Sequence, residues 1–163
     1  MSLQPYAIAA LALVVVALLV WRQLRWTRFD AHRVLRLPIV LGALGLVQIA
    51  TATTAVRIGA VDLVVLAGEV AVALGVGATM GVRTVFRASP AAPGAWEART
   101  GAVGAALWLV LIAMRVGVSV AGPALGVHAA TSTGVSLLIL AAARGATALV
   151  ARSRAPQAAL LSA

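Results

Sequence analysis

The chain of 163 residues contains no cysteine. Disulfide bonds, thiolate metal sites and thiol–disulfide relay chemistry are therefore excluded. Charge is scarce as well, because only 10% of the residues are charged. The chain has four acidic residues and 13 basic ones, and all of the basic residues are arginine. Soluble domains average about 25% charged residues. This composition is atypical of a water-soluble protein.

Long apolar stretches take the place of the missing charge, and 63% of the residues are hydrophobic. Each stretch is close to the ~20 residues that cross a bilayer as a helix, and none alternates polar and apolar residues as a barrel strand does. The sequence therefore predicts an all-α bundle of five transmembrane helices, formed as one domain by residues 1–150. The spans run approximately over Pro5–Trp21, Leu37–Val56, Gly59–Val82, Gly101–Gly122 and Val127–Val150.

Arginine-rich and arginine-poor loops alternate along the chain, so the arginines gather on one side of this predicted bundle. They are concentrated after the first span, between the third and fourth spans, and in the tail formed by residues 151–163, with Arg144 near the end of the fifth span. Arginine-rich loops stay in the cytoplasm. We therefore predict an N-terminus outside, a C-terminus inside, a flexible cytoplasmic tail, and location in the cytoplasmic membrane. The net charge of +9 indicates headgroup contacts and not nucleic-acid binding.

A layer of polar residues is predicted within the spans. Glu69 in the third span and Arg115 in the fourth are ionisable groups of a kind that is costly in lipid and usually paired. Counting about 1.5 Å per residue places both about 11–13 Å from the outer face. Gln48 and Ser136 fall at the same level, and Ser119 shares a helix face with Arg115. We predict an ion pair between Glu69 and Arg115, extended by these polar groups, which either binds a ligand or only fixes the helix register.

Three further groups of residues are candidates for contact with solvent, lipid or other helices. Arg57, Asp62 and Thr54 form a predicted outer polar cluster, either a vestibule or solvated helix ends. The first loop, which could continue as a helix, carries five arginines expected to contact lipid headgroups: Arg22, Arg25, Arg28, Arg33 and Arg36. Small residues at steps of four in the third span, Ala73, Gly77 and Gly81, allow close helix packing, inside the bundle or between copies.

The loop between the third and fourth spans contains prolines and a glycine over residues 88–94 that break any helix. It is either a plain connector or a loop that contacts a partner. The sequence holds no His-Glu-x-x-His motif, phosphate loop or Gly-x-Ser-x-Gly elbow. Its two histidines, His32 and His128, fall on opposite sides of the predicted bundle. We therefore predict no catalytic residue, no metal and no cofactor, and an enzyme acting on lipid stays a third alternative to the two functions given below.

Several short motifs resemble those of the CcdC-like family of small bacterial multi-pass membrane proteins. They are Trp21-Arg-Gln-Leu-Arg25, Leu37-Pro-Ile-Val-Leu-Gly42, Glu69, Gly81-Val-Arg-Thr-Val85, Trp96 with Thr100, and Leu107-Trp108 followed by Met114-Arg-Val116. The resemblance covers most of residues 15–150. It implies a bacterial membrane protein of a family associated with cytochrome c biogenesis loci. That family has no established catalytic residues. Without cysteine, the resemblance implies an assembly-accessory role and no direct thiol chemistry.

Two functions are consistent with these patterns. The first is a non-enzymatic accessory or scaffold protein that associates with other membrane proteins through its small-residue faces. The alternative is a small, oligomeric transporter or permease whose Glu, Arg and Gln side chains line a polar passage. The lipid bilayer is the expected partner in both, together with further copies of the chain or other membrane proteins.

Overall fold

Most of the described residues lie in four long α-helices. The computed structural model describes residues 17–18, 20–21, 23–30, 33–51, 59–92, 94–127 and 131–156 of the chain. The helices are α1 (Arg36–Thr51), α2 (Ala60–Arg83), α3 (Gly101–Ala121) and α4 (Thr133–Arg154). By length and composition, α2, α3 and α4 are long and apolar enough to cross a membrane, and α1 is a shorter apolar helix.

The hydrophobic pattern locates the middle helices well. The third and fourth predicted spans, residues 59–82 and 101–122, agree with α2 and α3 to within one residue at each end. Helix α1 covers most of the second predicted span, and residues 52–56 of that span lie outside the described residues. Nearly all of the first predicted span lies outside them too, although its described residues 17, 18, 20 and 21 are helical.

The fifth predicted span, residues 127–150, is wrong at both ends. After α3 the chain makes a short 3₁₀ turn, Pro123–Leu125, and Gly126 adopts a left-handed conformation with φ 74°. Helix α4 begins only at Thr133, because the Ser132 hydroxyl accepts a hydrogen bond from the Val135 N–H at 3.3 Å and caps the helix. The helix then continues beyond Val150 to Arg154, since arginine is a good helix former.

A small antiparallel sheet corrects the all-α expectation. Its strands are β1 (Thr27–Arg28), β2 (Val85–Ala88) and β3 (Trp96–Arg99), in the order β1-β3-β2. In the first loop only Gln23 and Leu24 of the described residues before β1 are helical, so the helix does not continue through it. The loop between the third and fourth predicted spans is a β-hairpin. Val85, Phe86 and Trp96 have strong strand propensity, and Pro90 and Gly94 lie in the turn between the strands.

Helix α4 lies between α1 and α2, and α3 packs on α2. A Cβ atom at Gly45 would lie 2.8 Å from the Gly134 carbonyl oxygen, so α1 and α4 approach closely only because position 45 has no side chain. On the other side of α4, a Cβ at Gly81 would lie 2.6 Å from Cβ of Val150. The predicted small-residue ridge of α2 therefore packs inside the bundle.

The apolar core lies where α2, α3 and α4 meet. It is formed by Ala73, Val76, Met80, Trp108, Leu111, Ile139 and Ala143. Helix α2 ends and α3 begins beside the sheet, and we refer to this end of the bundle as the sheet end. The opposite end, where α3 turns into α4, is referred to as the far end. The core thus separates two places where polar side chains gather.

The packing of α2 on α4 gives a prediction with a matched control. A Cβ at Gly77 would lie 3.0 Å from Cβ of Ala146 and closer still to the Ala143 carbonyl oxygen, whereas a Cβ at Gly75 meets nothing within 4 Å. We expect Gly77→Ala to lower the free energy of unfolding by about 1–3 kcal/mol. Gly75→Ala should leave it unchanged or raise it by up to about 1 kcal/mol. Denaturation of the detergent-solubilised protein measures both values, and equal effects would contradict this packing.

Candidate functional site

Near the far end, Glu69 of α2 and Arg115 of α3 form a direct ion pair. Nη1 of Arg115 donates to Oε1 of Glu69 at 2.8 Å and to Oε2 at 3.0 Å. The Glu69 side chain is 3% exposed and the Arg115 side chain is 16% exposed. Glu69 lies one turn before the core residue Ala73 on the same face of α2, so the pair caps the apolar core. The structure thus contains the ion pair predicted from the sequence.

Helix α4 completes the hydrogen bonding of the guanidinium group. The Ser136 hydroxyl accepts from Nε of Arg115 at 3.0 Å and from Nη2 at 2.6 Å. The same hydroxyl donates to the Ser132 carbonyl oxygen at 3.0 Å, and that oxygen also accepts from Nη2 at 3.3 Å. All three guanidinium nitrogens therefore donate to α2 or α4. We refer to Glu69, Arg115, Ser132 and Ser136 as the polar network.

Sequence reasoning missed Ser132, which serves the polar network through its backbone carbonyl. Its hydroxyl caps α4, and the cap leaves that carbonyl in the first turn, within reach of Arg115. The Ser132-Thr133-Gly134 stretch is a recognisable helix start. Placing the start of α4 there would have identified this residue.

Two predicted members of the layer do not join it. Ser119 is exposed, and its hydroxyl donates to the Arg115 carbonyl of its own helix at 2.9 Å. Gln48 is exposed on α1, which packs chiefly on α4 and buries Pro38 and Gly45 instead. Equal depth along two helices did not imply contact, because α1 and α3 lie on different sides of the α2–α4 pair.

The predicted outer cluster is described only at Asp62. Its Oδ2 accepts a hydrogen bond from the Gly59 N–H at 3.1 Å, and the residue is 2% exposed at the start of α2. A carboxylate in this position satisfies an unpaired helix N–H and interacts favourably with the helix dipole. Arg57 and Thr54 lie outside the described residues. Asp62 is thus buried at a helix end and is not the solvated residue of one alternative, and the vestibule stays a prediction.

At the sheet end, Glu97 on the central strand β3 holds the hairpin together. Its Oε2 pairs with Nη2 of Arg87 at 2.7 Å, and its Oε1 accepts from the Ser89 hydroxyl at 2.9 Å. These hydrogen bonds, from Arg87 first and then from Ser89, lower the pKa of Glu97 from its ordinary value of 4.5. The folded sheet therefore favours the charged form of the Glu97 side chain.

Aromatic rings cover the sheet. The guanidinium groups of Arg87 and Arg99 lie 4.1 Å and 4.9 Å from the centre of the Trp26 ring. Phe29 and Phe86 meet edge to face with ring centres 5.0 Å apart. These contacts connect the segment after the first predicted span to the hairpin. The two loops that the sequence treats as separate connectors therefore form one folded unit.

A cavity of 370 Å³ lies between this sheet unit and the helices. Its walls come from the segment around β1, the start of α1, strand β3 and the sheet-end half of α4. Five arginines line it: Arg25, Arg28, Arg33, Arg99 and Arg144. Asp30, which forms an ion pair with Arg33 at 3.1 Å, is the one acidic residue among the described lining residues. We refer to this space as the basic cavity.

Most of the described arginines that were expected to contact lipid headgroups lie at the basic cavity. Arg25, Arg28 and Arg33 line it, although each remains exposed. Arg36 lies at the start of α1, exposed and outside the cavity lining. Arg22 is outside the described residues. Three of the four described arginines therefore gather at a concave site, where a simple surface stripe had been expected.

Arg144 reaches the cavity from the middle of α4, eleven residues after the helix begins. Its guanidinium group lies 4.5 Å from the centre of the buried Trp108 ring on α3. The Trp108 indole nitrogen has no hydrogen-bond partner among the described residues. Sequence reasoning placed Arg144 near a helix end because it ended the fifth span too early. The continuation of α4 to Arg154 moves this charge well inside the apolar helix.

Within the described residues, no group of three or more histidine, aspartate or glutamate side chains is placed to hold a metal ion. Comparison of the chain with family models, curated proteins and solved structures finds no match. The resemblance to the CcdC-like family stays a prediction.

The contacts of Glu97 predict a pH dependence. Because its pKa in the folded protein is lowered, folding favours the carboxylate. The resulting stabilisation is fully present above pH 4.5 and is lost as the pH falls through the lowered value. Titration of the Glu97 carboxyl by NMR should give a midpoint below 4.5.

Arg87→Gln should move this midpoint upward, because it removes the strongest hydrogen bond to the carboxylate. Arg83→Gln, which removes an exposed arginine at the end of α2, serves as the control and should leave the midpoint in place. If the Glu97 midpoint in the unmodified protein is at or above 4.5, the pairing of Glu97 with Arg87 is contradicted.

Proposed function

We propose that the chain is a non-enzymatic accessory protein of the bacterial cytoplasmic membrane and that it binds another membrane protein through the open edge of its sheet. The proposed topology has five spans, with the N-terminus outside and the C-terminus in the cytoplasm. It is supported by the arginines of the described residues, because Arg115 lies near the far end, Arg144 in mid-helix, and the rest at the sheet end. The positive-inside rule then places the sheet in the cytoplasm.

The observation that carries the proposal is that strand β2 lies at an edge of the sheet. In the described sheet this strand pairs with β3 on one side only, so its other side presents backbone groups to a further strand. Val85 at its start is 59% exposed. Proteins commonly blunt such an edge with a projecting charge. Here the Arg87 side chain lies back over the sheet, held by Glu97 and Trp26.

An exposed edge strand favours an extended peptide as partner, bound by main-chain hydrogen bonds in the manner of strand addition. A cytoplasmic loop or tail of a neighbouring membrane protein has the required form and lies at the required level. The four-residue length of β2 suits a short segment. The small-residue ridge of α2 is occupied within the bundle, so it does not provide the partner surface.

The polar network favours this accessory role over the alternative of a transporter. Every described polar group in it is hydrogen-bonded to another member, so none needs a ligand to satisfy its hydrogen bonding. The cavity between α2 and α3 at the same end, 300 Å³ in volume, is lined by apolar side chains and glycines, among them Val65, Met114 and Val118. This lining does not suit a charged or polar substrate.

Site-specific photo-crosslinking in intact cells tests the proposal. A photoreactive residue replaces Val85 on the β2 edge in one protein and Val120 near the far end of α3 in the control; Val120 is 76% exposed. Both positions carry exposed valines, so the substitutions are matched in size and burial. We expect discrete protein adducts from position 85 and none from position 120. No adduct from position 85, or the same adducts from both positions, would contradict binding at the edge.

A further inference from the structure

We propose that the basic cavity binds a phosphate group, carried either by an anionic phospholipid or by a small soluble molecule. The inference is independent of binding at the β2 edge, because the cavity lies between the sheet unit and the helices.

The first argument is charge. Five arginines and one carboxylate line the cavity, so the lining has a positive excess however its members pair. Like charges repel one another, so a bound anion stabilises an arrangement in which five arginines surround one concave space. Arginine is also suited to the task, since its planar guanidinium matches phosphate geometry and can donate two hydrogen bonds to it.

The second argument is the position of Arg144. An arginine inside an apolar helix is costly and usually functional. Its guanidinium rests on the Trp108 ring at 4.5 Å, and this contact fixes where the charge points. About two turns of α4 separate Arg144 from Ala151, the cavity residue nearest the helix end, which corresponds to about 10 Å. The positive lining therefore reaches below the level of the sheet into the helical bundle.

The third argument is the construction of the walls. Leu37, Pro38 and Ala148 give the cavity apolar walls beside its charges, which lowers the local dielectric and strengthens interaction with an anion. Thr100 and Gln23 add polar groups to the lining. A volume of 370 Å³ is at the small end of the ~300–1,000 Å³ range of ligand sites, which suits one phosphate-bearing head group.

Two arms of one experiment distinguish the sources of the phosphate, both with the full chain in lipid nanodiscs. In the first arm the nanodiscs contain only phosphatidylcholine, and calorimetry measures binding of inorganic pyrophosphate at constant ionic strength, with chloride as reference. In the second arm the nanodiscs contain phosphatidylglycerol as well, and native mass spectrometry counts the phosphatidylglycerol molecules retained by the released protein. Saturable binding in the first arm identifies a soluble ligand, and selective retention in the second alone identifies a lipid.

Three variants localise the binding. Arg144→Gln and Arg28→Gln each remove one charge from the cavity lining, and Arg83→Gln removes one from an exposed position at the same end of the bundle. We expect either cavity variant to weaken binding by about tenfold, as loss of a charge-assisted hydrogen bond does. Arg83→Gln should change it by less than about twofold. If Arg144→Gln does not fold, Arg28→Gln, at an exposed strand position, provides the comparison.

Two results would overturn the proposal. One is the absence of both pyrophosphate binding and phosphatidylglycerol retention above the phosphatidylcholine level. The other is an equal loss for Arg83→Gln and the cavity variants, which would show attraction by net charge and no built site.

Discussion

The Glu69–Arg115 ion pair is the interaction on which the arrangement of the helices depends. Helix α3 packs on α2, while its approach to α4 is made largely by long side chains. Arg115 reaches from α3 to Ser136 near the far end, and Arg144 reaches from α4 to Trp108 nearer the sheet. An arginine thus crosses the α3–α4 gap at two levels, once in each direction. Because Glu69 neutralises the first of them, three helices are joined at one level without an uncompensated charge.

The other half of the bundle is held by a different means. Helix α4 approaches α1 and α2 closely enough that their backbones nearly touch at Gly45 and Gly81. Dispersion contacts between small residues hold such helices together, even where lipid removes the hydrophobic driving force. Close packing on two sides and polar bridges on the third therefore leave α4 well fixed. This fixed helix provides the floor of the basic cavity.

How far the structure could be foreseen differs between its parts. Hydropathy located α2 and α3 because a helix long and apolar enough to cross a membrane gives a continuous signal, and the cost of isolated charges in lipid identified Glu69 with Arg115. Neither signal reports on contacts between distant loops. Strand β1 has only two residues and becomes a strand only because β3 lies beside it. The basic cavity could not be predicted from the sequence for the same reason, because its arginines come from three separate segments. Depth counting failed at Gln48 because it carries no information on which helices are neighbours.

The most direct measurement is the stability of a protein in which both members of the ion pair are replaced, Glu69→Met with Arg115→Met, compared with each single replacement. Each single change leaves one charge without its partner and should cost about 3–5 kcal/mol, while the double change should cost less than the sum of the two and still lower the stability, because α3 loses its bridge to α4. Without Arg115 the Ser136 hydroxyl remains hydrogen-bonded, because it still donates to the Ser132 carbonyl oxygen. A double variant as unstable as the sum of the two single ones would contradict this account, because the two residues would then act separately.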